Sequence, residues 1–236
     1  MLPDYSILRN KHQGETAFVL GSGTSLVGLD LAPIHQHVVI AVNASILLVD
    51  WQDGSPEKRY WISNDALCRV WDYWPLVKSA KAIKIVRNSW DKYFDEIPDF
   101  LQFHPRPTPE HIINPNDTGL AYCSSVPSAI DLALQMGCKK VYLLGVDQYQ
   151  VGQCSHFWQM WDKPKPRPSR SIMSPFHRQK VIFALNDRAY PALKQFADTL
   201  GAEIYNCSPL SRVTAFPRIP FDEAIRDSIP SEKVQS

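Results

Sequence analysis

The chain has 236 residues, which is enough for one α/β domain of ordinary size. Hydrophobic residues make up 44%, charged residues 21%, and the net charge is +1, so no overall field draws the chain to nucleic acid or membrane. No signal-peptide pattern or bilayer-spanning apolar run is visible, and the five cysteines are scattered. We therefore expect a cytoplasmic protein with reduced thiols and no membrane span.

Short apolar runs alternate with helical patterns, which is typical of a parallel sheet covered by helices. The clearest helix covers Ser125–Met136, and a second covers about 178–200, where Pro191 should kink or split it. The sequence predicts one α/β domain over residues 1–236 with a mostly parallel sheet. The predicted strands are Thr16–Leu20, Val38–Val42, Tyr60–Ser63, Ala82–Val86, Lys140–Leu144 and Glu203–Cys207.

Two proline-rich stretches interrupt this pattern. Residues 90–115 carry five prolines and are expected to lack regular structure. Residues 150–176 include the basic segment Lys163–Arg170 and are predicted to form a lid, with an inert surface loop as the alternative. The polar tail over 222–236 is expected to be loosely held.

A glycine turn follows the first predicted strand, in the order Gly21-Ser22-Gly23-Thr24-Ser25. Glycine allows tight turns and close approach of the backbone, and oriented amides stabilise phosphate oxygens. The third glycine of the dinucleotide fingerprint and the lysine of a P-loop are missing. An anion site and an ordinary strand-to-loop turn therefore both remain open for this segment alone.

Polar residues also follow the second and third strands. Asn43 stands where open α/β sheets bind ligands, and its amide can pair with a base or ribose; the alternative is an Asn that caps a loop. After the third strand, Ser63-Asn64-Asp65 could contact a ligand, although capping of the next helix by Asp65 is favoured.

The later strand–helix boundaries add further polar groups. Ser124 and Ser125 open a helix, where an anion or plain N-capping fits. Gly145, Asp147 and Tyr149 follow the next strand; Asp147 could meet ribose hydroxyls or form a turn, and Tyr149 could stack.

His177 is the preferred general base, because it stands between the proline-rich loop and a helix start. His156 is its rival, and a surface histidine remains an alternative reading of His177. The sequence contains no H-E-x-x-H, G-x-S-x-G or Walker pattern, so no metal ligand set is predicted.

In this order the motifs resemble the bacterial sialyltransferase family typified by Campylobacter lipooligosaccharide enzymes. The glycine turn, Asn43 and Ser124-Ser125 match three of its short motifs. The block from Asp131 to Tyr149, which contains Leu143-Leu144-Gly145-Val146-Asp147, matches a more specific fourth motif. The similarity covers residues 16–216 and extends to motility-associated factor glycosyltransferases and 6-hydroxymethylpterin pyrophosphokinases. It departs from the family after Tyr149, where a tyrosine pair near the phosphate is not evident.

The resemblance implies a Rossmann-like domain that transfers a sugar from a nucleotide-activated, CMP-linked donor to an acceptor hydroxyl without a metal or other cofactor. The glycine turn, Asn43, Ser124, Ser125, Gly145, Asp147 and Tyr149 would hold the nucleotide, and His177 would deprotonate the acceptor. A lid arginine (Arg167, Arg170 or Arg178) would stabilise the leaving phosphate.

The acceptor stays open between a glycan, a protein and a modified nucleobase, and a homo-oligomer is among the open oligomeric states. The alternative functions are a Mg²⁺-dependent pyrophosphokinase-like enzyme, with Asp65 and Asp147 as metal ligands, and a non-catalytic nucleotide-binding protein.

Overall fold

Seven parallel strands form one sheet in the computed structural model, which describes residues 2–49, 55–89, 100–121, 124–168 and 175–229 (for residues 175–179 the backbone only). Across the sheet the order is β5-β4-β3-β2-β1-β6-β7. The strands are β1 (Thr16–Leu20), β2 (Val38–Val42), β3 (Arg59–Ser63), β4 (Ile83–Arg87), β5 (Phe100–Phe103), β6 (Lys140–Leu144) and β7 (Glu203–Asn206).

Four α-helices and seven short 3-10 helices connect these strands in the described residues. The α-helices are α1 (Trp74–Ser79), α2 (Ser125–Gln135), α3 (Pro175–Thr199) and α4 (Phe221–Ser228). The 3-10 helices are Tyr5–Leu8, Thr24–Leu26, Ala32–Gln36, Asn43–Leu48, Pro56–Lys58, Ala66–Val70 and Phe157–Gln159.

Both faces of the sheet are covered, which is why β1, β2 and β6 are nearly continuous apolar runs rather than alternating ones. Ala17 and Val19 of β1 belong to the core under α2 and α3, whereas Phe18 and Leu20 belong to the opposite core, which includes Phe157. The predicted α/β fold with a mostly parallel, Rossmann-like sheet is confirmed, and all seven strands are parallel.

Two predictions about irregular segments are wrong. β5 lies inside the 90–115 stretch, where four residues suffice for a last strand of the sheet that pairs with β4. The first part of the expected loose tail forms α4, because Ala224 is fully buried and the Phe221 ring packs on Phe18 at 6.4 Å. Residues 230–236 lie outside the described residues.

α3 continues through Pro191 as one helix, so the expected split does not occur. A proline removes only its own N–H and crowds the carbonyl of the preceding turn, here that of Asp187. Asp187 is exposed, so water can take the place of the missing partner.

The described part of the predicted lid is attached to the body at two points. Phe157 is buried, and its backbone N–H donates to the Ser22 carbonyl at 3.0 Å. Further along, the Arg167 N–H donates to the Asp72 carboxylate at 3.0 Å. Residues 169–174 lie outside the described residues, and the lid remains a prediction.

Candidate nucleotide site

The carboxyl ends of β2, β1 and β6 lie side by side, because these strands are neighbours in the sheet. The glycine turn therefore lies between Asn43 on one side and the Gly145–Asp147 loop on the other. The expectation that these distant segments share one edge of the sheet is met by this topology. Chain order reverses between β1 and β6, and open α/β sheets bind their ligands at such a reversal.

Three glycines in this region are packed against one another. A Cβ on Gly21 would lie 2.4 Å from the Gly145 carbonyl oxygen, and a Cβ on Gly23 would lie 2.4 Å from the Asp147 carboxylate. Gly145 has a φ of +65°, and its own Cβ would meet the Leu26 side chain. Because these glycines have no side chains, the Gly145–Asp147 loop can pack directly against the turn. Its atoms fill the space on that side of the turn where a phosphate was expected.

Asp147 holds the glycine turn in place. Its carboxylate accepts hydrogen bonds from the Ser25 N–H at 2.9 Å, the Ser25 hydroxyl at 2.5 Å and the Thr24 hydroxyl at 3.3 Å. The residue is only 3% exposed. The carboxylate is thus engaged within the protein, where it holds the turn, and its expected contact with ribose stays a prediction.

Other amides of the turn remain available. Gly21 and Gly23 donate their N–H groups to the Leu144 and Gly145 carbonyls. Within the described part of the chain, the N–H groups of Ser22 and Thr24 have no acceptor. Two backbone amides of the turn can thus bind an anionic ligand.

Asn43 connects the end of β2 to the start of α2. Its φ of 52° is in the left-handed region, which Asn tolerates better than most residues. Its carbonyl accepts from the Trp61 indole at 2.9 Å, and its side-chain oxygen accepts from the Ser125 hydroxyl at 3.4 Å. The half-buried side-chain NH₂ has no acceptor among the described residues and is available to a ligand.

The first turn of α2 is left without a side-chain cap. Ser124 occupies the N-cap position but makes no capping bond; its hydroxyl donates to Asn186 of α3 at 2.9 Å. The Ser125 hydroxyl accepts from the Asn64 N–H at 2.8 Å. Pro127 has no N–H and the Ser128 N–H donates to the Ser124 carbonyl, so within the described residues the N–H groups of Ser125 and Val126 are the ones open to an anion, at the positive end of the helix dipole.

Asn64 belongs to the Ser63-Asn64-Asp65 segment, for which contact with a ligand was one of the two readings. It follows β3 as Asn43 follows β2. Its side-chain NH₂ donates to the Ser128 hydroxyl at 3.1 Å, which ties β3 to α2. Asp65 caps the next 3-10 helix by accepting from the Leu67 N–H, so the preferred reading of Asp65 is confirmed.

Tyr149 stands at the rim of the site, partly exposed. The Arg212 guanidinium lies 5.2 Å from its ring centre, and the Arg212 N–H donates to the Asp147 carbonyl at 2.8 Å. Arg212 therefore brings a cation to this rim. It is 63 residues further along the chain (212 − 149), and no local pattern in the sequence marks it.

The position of His177 follows from the backbone of α3. The helix has 25 residues, whereas the strands have four or five, so α3 is much longer than the sheet beneath it. Asn186 fixes α3 to the start of α2, and His177 is nine residues earlier, about 14 Å along the helix axis. The backbone of His177 thus projects beyond the carboxyl edge of the sheet. The side chains of His177 and Arg178, and all of Arg170, lie outside the described residues.

His156 has a structural environment. Its ring stacks on Trp158 at 5.4 Å, and its Nδ1 lies 2.8 Å from the Ser155 hydroxyl. It also caps the short helix that follows. Burial lowers the pKa of this imidazole, so it stays neutral at pH 7.

A cleft of about 510 Å³ opens on the other side of the turn, beyond β6 and β7. Ser25 and Gly145 border it, and Leu144, Cys207 and Phe221 make it largely apolar. Burial raises the pKa of the Cys207 thiol to about 12, so this thiol is not a nucleophile at neutral pH.

The described residues contain no group of three His, Cys, Asp or Glu side chains able to hold a metal ion. Asp65 and Asp147, the carboxylates that a Mg²⁺-dependent alternative would use, are engaged in the internal bonds given above. In the same residues, no helix is long and apolar enough to cross a membrane.

No protein-family model and no curated protein matches the chain by sequence. Its fold is similar to that of a MAf glycosyltransferase from Magnetospirillum magneticum AMB-1, with 17% identity and a TM-score of 0.57 over 96% of this chain; the chain spans 40% of that protein's length. It is also similar to the sialyltransferase CstII in complex with a trisaccharide acceptor and CMP, with 16% identity and a TM-score of 0.51 over 86% of this chain and 85% of that one. The chain therefore has a glycosyltransferase-like fold.

Proposed function

We propose that this protein is a glycosyltransferase that takes a sugar from a CMP-linked donor and passes it to an acceptor hydroxyl. One observation carries the proposal: free amides of the glycine turn and of α2 converge with the side-chain amides of Asn43 and Asn64 at one edge of the sheet. The fold agrees with this function, because both neighbours above are glycosyltransferases and one of them holds CMP.

The roles divide according to the chemistry of each group. The amides of Ser22, Thr24 and the first turn of α2 bind the phosphate, since they supply donors without a formal charge. The side-chain amide of Asn43 pairs with the base or ribose, because an amide both donates and accepts hydrogen bonds. The Asn64 amide can do the same once the ligand displaces it from Ser128. Asp147 positions the turn, and Tyr149 with Arg212 closes the rim.

The acid–base step is assigned to His177, at the projecting start of α3. A helix N-terminus favours a neutral imidazole, which a general base requires. Oriented amides stabilise the leaving phosphate without a metal ion, together with Arg178 or Arg170. Arg167 is not assigned to the phosphate here, because its backbone N–H donates to the Asp72 carboxylate at 3.0 Å.

The experiment is a calorimetric titration with CMP, UDP, GDP and ATP, each with and without EDTA, on the wild type and Asn43→Gly. Glycine accepts the left-handed backbone of Asn43, so this variant removes the amide without strain. The matched control is Asn10→Gly, because Asn10 is also left-handed (φ 57°) and lies away from the carboxyl edge of the sheet.

CMP should bind without metal. Asn43→Gly should lower the affinity for CMP roughly tenfold, the equivalent of about 1.4 kcal/mol. Asn10→Gly should bind as the wild type does. Wild-type protein that binds no CMP, or equal affinity in both variants, would contradict the proposed donor site.

A further inference from the structure

A second cleft, of about 460 Å³, lies between the segment that follows β3 and the described end of the proline-rich loop. Trp71 and Pro168 pair there as an isolated antiparallel bridge. The Asp72 N–H donates to the Arg167 carbonyl, and the Arg167 N–H donates to the Asp72 carboxylate, both at 3.0 Å. The two walls are thus joined by one bond between backbones and one from a backbone N–H to a side-chain carboxylate.

The lining of this cleft combines aromatic and cationic groups. Its lining includes the half-buried Trp71 and Trp74 and two arginines, Arg69 and the exposed Arg167. Indoles pack against the C–H faces of a ring, and a guanidinium binds a carboxylate through two parallel N–H bonds. The carboxylate in the cleft, Asp72, is already held by the Arg167 N–H.

A chain of contacts leads from this cleft to the glycine turn. The Trp71 ring lies 5.6 Å from that of Trp158, which stacks on His156 at 5.4 Å. Phe157, which lies between His156 and Trp158 in the sequence, donates its N–H to the Ser22 carbonyl at 3.0 Å. The cleft and the glycine turn are therefore linked through packed residues of the described loop.

We propose that this cleft binds the acceptor, and that the acceptor is a carbohydrate that carries a carboxylate. The role of this carbohydrate as the acceptor rests on the proposed function, whereas its binding in the cleft does not. The volume is in the range of small-molecule sites, roughly 300–1,000 Å³. A pyranose stacks on Trp71 or Trp74, and its carboxylate lies against the Arg167 guanidinium.

Arg167→Ala is the sharpest variant, because the bonds of Arg167 to Asp72 are made by its backbone and survive the change. The control is Arg226→Ala, another exposed arginine, which lies on α4 away from the cleft. Trp71→Ala tests the stacking surface, and thermal unfolding of each variant checks that it remains folded.

The probes are methyl glucuronide, methyl glucoside and glucose 6-phosphate, with binding followed by tryptophan fluorescence and calorimetry. Methyl glucuronide should bind more tightly than the other two. Arg167→Ala should lower its affinity at least about tenfold and bring it to the level of methyl glucoside, while Arg226→Ala leaves it unchanged. Trp71→Ala should lower the affinity for all three sugars.

Three results would overturn the inference: no glucuronide binding, equal binding of all three sugars, or Arg167→Ala with wild-type affinity. A preference for glucose 6-phosphate, or binding of a single-stranded oligothymidylate instead, would assign the cleft to phosphates. CMP titrated on the same samples keeps the two proposals apart. CMP binding without glucuronide binding refutes only the acceptor cleft, and the reverse refutes only the donor site.

Discussion

Asp147→Ala tests whether Asp147 supports the glycine turn or binds ligand. The mutation removes the acceptor of the Ser25 N–H at 2.9 Å and of the Ser25 hydroxyl at 2.5 Å, in a residue that is 3% exposed. Hydrogen bonds to a charged group contribute about 1.5–3 kcal/mol each. The Ser25 hydroxyl borders the cleft beyond β6 and can reach water, so we take the lower value for each bond.

The expected loss in the free energy of unfolding is therefore about 3 kcal/mol, which lowers Tm by roughly 6–12 °C in a chain of this size. Asp147→Asn keeps an acceptor for the Ser25 N–H and should lose only about 1 kcal/mol. Asp65→Ala is the comparison, because it removes a single capping bond and should also cost about 1 kcal/mol.

The assay is urea unfolding followed by circular dichroism, with CMP affinity measured on each folded variant. If Asp147→Ala unfolds at the same urea concentration as Asp65→Ala but no longer binds CMP, the structural reading is wrong. Asp147 would then contact the nucleotide directly.

Three further predictions concern the turn and the two histidines. Gly23→Ala should lose about 1–3 kcal/mol of stability, since its Cβ would lie 2.4 Å from the Asp147 carboxylate. A urea midpoint equal to that of the wild type would contradict this. His177→Ala should lower kcat by roughly 10²–10⁴ with CMP affinity unchanged, and the same loss in His156→Ala alone would reverse the assignment. Burial holds the pKa of His156 below its unfolded value near 6.5, so below that pH the unfolded chain binds a proton that the folded chain does not, and stability falls. Urea midpoints at pH 7.5 and 5.5 should differ less in His156→Asn than in the wild type; an unchanged difference would exclude this contribution.

The strands and the main helices could be predicted from local sequence, because their signals are short-range. Continuous apolar runs such as Val38–Val42 bury both sides of a strand, and Ser125–Gln135 has a polar start, an apolar stripe and a glycine after its end. Topology then follows from general rules, since parallel strands bring their carboxyl ends, and residues such as Asn43, to one edge. The edge strand β5 was missed because Phe100–Phe103 lies in the stretch with five prolines, which favours irregular structure.

What each polar group does at that edge was decided by tertiary structure. A Gly-x-Gly turn beside an acidic residue reads as a ligand site in the sequence, but only packing shows that Gly23 makes room for the Asp147 carboxylate. Arg212 and Asn186 reach the site from late in the chain, through contacts with Tyr149 and Ser124. Local patterns report which backbone a segment prefers, whereas the partner of a buried carboxylate or guanidinium depends on distant segments that the sheet brings together.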